Sequence, residues 1–253
     1  MLPKERQNLI VQLVNEAGAA SVKELSRRFS ISEDSIRKDL GALSRQGLLK
    51  KTYGGALRLE KEAPEVFVSQ RKGKYLPDKR RIARKAVDML EDGDIVFLDI
   101  STTSTEIARL LKTSGLSLTV VTNMIDVMMT MTGDEHNRLL FIGGSFNDGR
   151  DGFVGTAANR AIARCRFDKA FLGVAGIDLA RGELSTYRLD DAATKETIVA
   201  RSRQNYLLLE TRKLTRRSHF VYASLREFAG VLTEKPLADD VRERIEACGA
   251  ACL

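Results

Sequence analysis

Five hydroxyl side chains stand in a row, Ser101-Thr102-Thr103-Ser104-Thr105, two positions beyond Asp99 and at the opening of a helically spaced segment, "LDISTTSTEIARLL". Hydroxyls and the free backbone N–H groups of a helix N-terminus together suit an anion, a phosphate above all. An ordinary helix cap rich in Ser and Thr has the same composition, so the stretch gains meaning only from its companions. Other short apolar runs end on residues of matching type: Asn123 after "VVT", Gly143-Gly144 after "LLFI", and Glu210 after "YLLL" with Lys213 close behind. Gly155 precedes a helical stretch and Lys195 lies inside another. Glycine admits close backbone approach, Asn and carboxylates bond hydroxyls, and Lys neutralises phosphate. A phosphorylated polyhydroxy ligand calls for that mixture, although Gly143-Gly144 taken singly is a turn and Lys195 a helix-surface residue.

A second chemistry is written into the first quarter of the chain. Residues 1–58 carry eleven Lys/Arg against six Asp/Glu, a net of +5, whereas the other 195 residues add only +2 to the total of +7. That asymmetry describes a small head that binds a polyanion on a nearly neutral body. Around Ser32-Glu33-Asp34-Ser35-Ile36-Arg37-Lys38-Asp39-Leu40, apolar Ile36, Leu40 and Leu43 recur at helical spacing. Ser35, Arg37, Lys38 and Arg45 fall on the opposite face. Arginine can read guanine bidentately, and hydroxyls bond bases or phosphates. Lys50-Lys51-Thr52-Tyr53-Gly54-Gly55 follows, and its paired glycines predict a turn with positive φ between two short strands. Glu33, Asp34 and Asp39 interrupt the basic face, and Asp39 is placed to form an internal ion pair.

The elements needed to position these groups are legible. In the head, Leu9, Ile10, Leu13 and Val14 form one helix face that stops at Gly18. Ser21 with Glu24 makes a capping box for a second helix burying Val22, Leu25 and Phe29, and Ser32 caps the third. Three helices and a small wing predict a winged helix-turn-helix, whose third helix enters a major groove. The mixed stretch 59–78, with Pro64, Gly73 and Pro77, reads as a linker. From residue 79 helical segments (79–90, 104–112, 124–132, 156–164, 190–203 and 237–247) alternate with strands (95–98, 118–121, 139–142, 170–174, 206–209 and 220–222). That alternation predicts an α/β body with a mostly parallel sheet, its ligand site beyond the C-terminal strand ends.

Other classes drop out. No apolar run approaches the roughly 18 residues that span a bilayer, and the start of the chain lacks a secretory core. Three cysteines read as reduced thiols of a cytoplasmic protein. Two histidines, His136 and His219, are too few and too separated for a metal site or a triad. Four methionines of 124–131 are core filler. Neither a Walker-type loop nor a G-x-G-x-x-G after a strand is present, so no nucleotide cofactor is expected.

Residues 5–57 resemble the N-terminal domain of the DeoR family of bacterial transcriptional regulators. The likeness lies in Arg6, in Ser32–Leu40 with Leu43, and in Gly47-Leu48-Leu49-Lys50-Lys51-Thr52-Tyr53-Gly54-Gly55-Ala56, all without a gap. Ser35 stands where the family pattern has Thr, and Lys38 and Lys51 stand where it has Arg. Residues 79–235 resemble the same family's effector domain through Asp99–Thr103, Val121-Thr122-Asn123, Gly143-Gly144, Val154-Gly155, Phe167–Asp178, Lys195 and Glu210 with Lys213. Ser101 replaces a glycine of that pattern, which predicts lost φ freedom and an intruding Cβ; Glu210 replaces an aspartate. The resemblance implies a head (1–58), a linker (59–78) and an effector domain (79–253) with the fold of sugar-phosphate isomerases. It implies a DNA-binding regulator, a repressor of carbohydrate utilisation, that senses a phosphorylated sugar, carries out no catalysis and works as a homodimer or homotetramer. Ser32, Ser35, Arg37, Lys38, Arg45, Lys50, Lys51 and Tyr53 are the expected DNA contacts. Asp99, Ser101, Thr102, Thr103, Asn123, Gly143, Gly144, Gly155, Lys195, Glu210 and Lys213 are the expected effector contacts. The competing expectation is a sugar-phosphate isomerase localised by its head, with Asp99, Asp190, Asp191 or Glu210 as general base.

Overall fold

The computed structural model describes residues 3–57, 61–62, 71–149 and 151–253. The chain divides into two compact units, residues 1–61 and 62–253. Half of the stretch expected as a linker, Pro64 included, lies outside the described residues.

The smaller unit contains three helices, α1 (Pro3–Ala17), α2 (Val22–Phe29) and α3 (Glu33–Arg45), and a three-stranded antiparallel sheet. Gly18 ends α1 at φ +76°. Ser21 and Glu24 form the expected capping box, and Ser32 Oγ accepts from Ser35 N at 3.3 Å to cap α3. Ile10, Val14, Leu25, Ile36, Leu40 and Leu43 meet in one core. The sheet is β1 (Ala19–Ser21), β2 (Lys50–Lys51) and β3 (Gly55–Leu57), with β3 in the middle. The glycine expectation is corrected here, because neither Gly54 nor Gly55 has positive φ. Gly55 is required by close approach instead: a Cβ there would lie 2.2 Å from Ala20 O on the neighbouring strand.

The larger unit is built on a seven-stranded parallel sheet. Its strands are β4 (Ile95–Leu98), β5 (Thr119–Thr122), β6 (Arg138–Phe141), β9 (Phe167–Gly173), β12 (Ser202–Leu208), β14 (Gly230–Leu232) and β15 (Ala251–Cys252), in spatial order β15-β14-β12-β9-β4-β5-β6. Both faces are covered, so the buried stretches of the central strands, residues 96–98, 170–172 and 206–208, are apolar and successive residues serve opposite layers. Val96 and Leu98 pack with α4 (Leu76–Val87), α5 (Thr102–Leu111) and α6 (Ile125–Met131), while Phe97 packs with α7 (Thr156–Ile162), α8 (Leu189–Arg201) and α9 (Asp239–Ala247). A hairpin, β7 (Ser145–Phe146) with β8 (Phe153–Val154), and a small antiparallel sheet of β10 (Gly176–Asp178), β11 (Glu183–Thr186) and β13 (Phe220–Ser224) complete the unit. Helix α4 begins three residues before position 79. Lys79, 1% exposed, ties that approach down by donating to Arg71 O and Lys74 O at 2.9 and 2.6 Å.

Candidate functional site

Because the sheet is parallel, the C-terminal ends of β4, β9 and β12 open on the same side, and side chains that follow them can converge. Asp99, directly after β4, is buried and accepts from Gly173 N at 2.9 Å at the end of β9. Lys195, in the second turn of α8, donates to the same Asp99 Oδ2, and its ammonium lies 4.0 Å from Asp191 one turn earlier. Thr186 Oγ1 donates to Asp191, and Tyr222 OH donates to Gly173 O at 3.1 Å. Burial alone disfavours the charged Lys195, but Asp191 and Asp99 outweigh it and raise the pKa, so the ammonium is held protonated. Burial pushes the Asp191 carboxyl up against the pull of Lys195.

An open cavity lies over this cluster, with Ser101, Gly173, Lys195, Arg71 and Arg188 among its walls. Ser101 overturns the expectation of a cramped loop. Its backbone is extended (φ −149°, ψ 137°), and its hydroxyl caps α5 by accepting from Thr103 N at 3.2 Å. The missing Cβ is at Gly173, where one would stand 3.0 Å from Ser101 Cβ. The glycine that admits the serine is therefore on the neighbouring strand. Arg71 Nε is buried without a hydrogen-bond partner, leaving a cationic donor at the cavity wall. Arg188 pairs with Asp148 across the rim.

The other expected ligand residues lie elsewhere. Thr102 faces a second cleft, beside Lys72, Lys79 and Glu106, and Thr103 is buried in α5. Asn123 is fully buried; its Nδ2 donates to Phe153 O at 2.8 Å, while its Oδ1 has no partner. Gly143 and Gly144 are exposed, and a Cβ at Gly144 would meet Ala158 Cβ at 2.9 Å. Gly155 (φ +86°) opens α7 beside a third depression. Glu210 and Lys213 are buried next to the cavity floor rather than in it. Glu210 accepts from Arg212 at 2.7 Å, and Lys213 Nζ donates to Val174 O at 3.0 Å. Burial, only partly offset by Glu210, brings the Lys213 pKa down to about 7. Lys213, Arg212 and Lys79 together outweigh burial at Glu210 and lower its pKa. Arg212 in turn lies 4.0 Å over the ring of Tyr75, a residue at φ 55° that precedes α4. None of these three depressions is lined by Thr102, Asn123 and Lys213 together.

Sequence reasoning gave no binding role to Arg71, Gly173, Thr186, Asp191 or Arg188. Arg71 lies in the stretch read as a linker, and Gly173 lies in the Phe167–Asp178 stretch of the family resemblance, where no contact was assigned to it. Asp191 stood four residues before Lys195 on one helix, a spacing that could have paired them.

In the smaller unit the division of α3 is observed directly. Ile36, Leu40 and Leu43 are buried, whereas Arg37, Lys38 and Arg45 are exposed and Ser35 is half-buried. Ser32, Lys50, Lys51 and Tyr53 are exposed as well. Asp39 forms the internal pair, accepting from Arg6 Nε at 2.7 Å and Gln7 Nε2 at 2.8 Å. Lys51 Nζ reaches Arg37 O at 3.5 Å, which sets the wing beside the helix.

Comparison with known proteins agrees with this layout. The DeoR-like helix-turn-helix domain matches residues 6–62, and the DeoR C terminal sensor domain matches residues 75–235. The HTH-type transcriptional regulator GlpR of Haloferax volcanii is 35% identical over 253 residues, covering 100% of this chain and 98% of that protein. The glycerol-3-phosphate regulon repressor of Escherichia coli is 32% identical over 93% of this chain and 92% of its own. The lactose phosphotransferase system repressor of a Staphylococcus epidermidis strain is 30% identical over 96% of each. Among the described residues, no helix is long and apolar enough to cross a membrane.

Proposed function

The chain belongs to the DeoR family, and from that premise we propose a DNA-binding transcriptional repressor of carbohydrate-utilisation genes whose operator binding responds to a phosphorylated sugar or polyol. The observation that carries the DNA half is the split of α3, which buries Ile36, Leu40 and Leu43 and leaves Arg37 and Lys38 in solvent. In the proposal Ser35, Arg37 and Lys38 face the major groove. Ser32, Arg45, Lys50, Lys51 and Tyr53 hold the backbone on either side. One such head covers too little surface for tight specific binding, so two or four copies engage repeated half-sites.

The effector half rests on the cavity at the strand ends. Arg71 supplies positive charge, Lys195 and the Ser101 hydroxyl supply donors, and Asp190 and Asp191 suit sugar hydroxyls. Relatives named for a glycerol-3-phosphate regulon and a lactose phosphotransferase system support this ligand class. Glu210 and Lys213 act from beneath, through Val174 and Arg212, instead of by contact. Lys195 is protonated and its charge is offset by Asp99 and Asp191, which suits a hydrogen-bond donor and not a proton-abstracting base. Equilibrium binding of phosphorylated sugars to the full chain, followed by recovery of the compound, tests the assignment. Binding with unchanged ligand is expected, and conversion of the ligand would favour an isomerase.

A further inference from the structure

The guanidinium of Arg37 is clasped by two carboxylates of its own helix. Nη2 donates to Glu33 Oε2 at 2.7 Å and Nη1 to Asp34 Oδ1 at 2.9 Å. All three side chains are solvent-facing, with the Arg37 side chain 48% exposed, so burial does not force the arrangement. Exposed ion pairs contribute little to stability, and two acids on a DNA-facing helix repel phosphate. Glu33 and Asp34 stand in the first turn of α3, where acids favour the helix dipole, but that effect needs no contact with Arg37, so neither helix stability nor affinity for a polyanion explains both contacts. Their geometric effect is plain. A free arginine samples many rotamers, whereas this one has its fork fixed from two sides, one carboxylate on each terminal nitrogen. A guanidinium has five N–H donors, of which two are taken, so one on each terminal nitrogen and the Nε–H remain for a base edge.

We propose that Glu33 and Asp34 are positioning residues for base recognition: they hold Arg37 in one orientation for bidentate contact with guanine and penalise binding where no base takes up the fork. This deepens the regulator reading and rests on it. Two forces act in one direction. Fixing the side chain in advance lowers the entropy lost when the bidentate contact forms. The two negative charges also weaken attachment to phosphates at any sequence. Both raise the ratio of specific to non-specific binding, which is the quantity a regulator needs in a large excess of competing DNA. Neighbouring charges fit the role: among the described residues Lys38 has no such clasp, and Lys51 lies close enough to reach the Arg37 carbonyl, so these cations remain for backbone contact.

The test uses the full chain and duplexes enriched from a randomised double-stranded library by the wild-type protein. Scrambled duplexes of the same composition serve as the non-specific partner. Dissociation constants are measured for wild type, for Glu33→Gln with Asp34→Asn, for Arg37→Ala, and for the triple variant. The Gln and Asn replacements keep shape and hydrogen-bonding capacity while removing charge. The expected result is that Glu33→Gln with Asp34→Asn lowers the specific to non-specific ratio about tenfold, the scale of one bidentate base contact. In the Arg37→Ala background the same pair of changes should leave the ratio unmoved, because the acids act through that arginine. Thermal melting of each variant separates this from loss of the helix itself. An equal gain in affinity for both duplexes, or the same fall in ratio without Arg37, overturns the proposal. If the wild-type protein enriches no sequence, the regulator reading fails first and this inference falls with it.

Discussion

Lys195 and Asp99 form a buried ion pair, their side chains 4% and 1% exposed, that joins α8 to the end of β4 beneath the cavity. Removing one partner leaves the other as an uncompensated buried charge. Lys195→Met is expected to destabilise the larger unit by about 3–5 kcal/mol, and Asp99→Asn with Lys195→Met by less, because the second change removes the stranded charge. Urea unfolding of the three proteins checks this. A double variant as unstable as Lys195→Met, or more so, would contradict it.

Lys213 predicts a pH dependence. Its folded pKa is depressed from 10.5 to about 7, so between those values the unfolded chain binds more protons than the native one. Stability should therefore rise with pH from about 7 towards 10, with a contribution on the order of 1 kcal/mol per pH unit from this group. In Lys213→Met that contribution disappears and the curve flattens relative to wild type. Chemical denaturation at pH 7, 8 and 9 measures the difference, and parallel curves would refute it.

Asp39 belongs to the architecture of the head and not to its DNA surface. It is 5% exposed and accepts from Arg6 and Gln7, linking α3 to α1. Asp39→Ala strands two donors and should cost about 2 kcal/mol of head stability. Asp39→Asn, which keeps an acceptor, should cost less. Thermal melts with DNA affinity measured below the transition distinguish this from a lost base contact, since binding by the folded fraction should persist.

Lys51 and Arg37 should behave differently on DNA. Lys51→Ala weakens selected and scrambled duplexes alike and reduces the salt slope by about 0.9, the value of one phosphate contact. Arg37→Ala weakens the selected duplex far more than the scrambled one. Anisotropy titrations across salt concentrations would refute the assignment by finding the two variants indistinguishable.

Gly55→Ala should disrupt the wing. The added Cβ has no room against Ala20 O and the Ser21 Cα, both backbone atoms that cannot turn aside. Loss of the β1–β3 pairing is expected in amide exchange at Ala20 and Ala56, together with weaker DNA binding. Unchanged protection there would show that the strand can shift.

Local signals carried the head almost whole. The Ser21–Glu24 box, the Ser32 cap and the Ile36–Leu40–Leu43 stripe each specify one helix, and those helices are present. In the larger unit, strands with continuous apolar runs were legible at 95–98, but the short ones at 145–146, 153–154, 176–178, 183–186, 230–232 and 251–252 were not anticipated. Strands of two to four residues that lack a longer apolar run carry too little periodicity to announce themselves. The site was legible in residue type and obscure in arrangement. Asp99 and Ser101 follow β4, and α8 brings Lys195 onto the same strand end, an arrangement that motif spacing cannot reveal. Whether Asn123 or Lys213 reaches the cavity depends on which layer its strand end turns into. The burden of the "missing" glycine at Ser101 was moved to Gly173, seventy-two positions away in sequence and adjacent in space.

The most direct measurement titrates a library-selected duplex with the full chain in the presence and absence of each of a panel of phosphorylated sugars and polyols. The account predicts that one compound changes the DNA dissociation constant at least about fivefold, is recovered unaltered, and has no effect on the scrambled duplex. A chain that binds no duplex selectively, or whose selective binding ignores every compound that the cavity takes up, would contradict it.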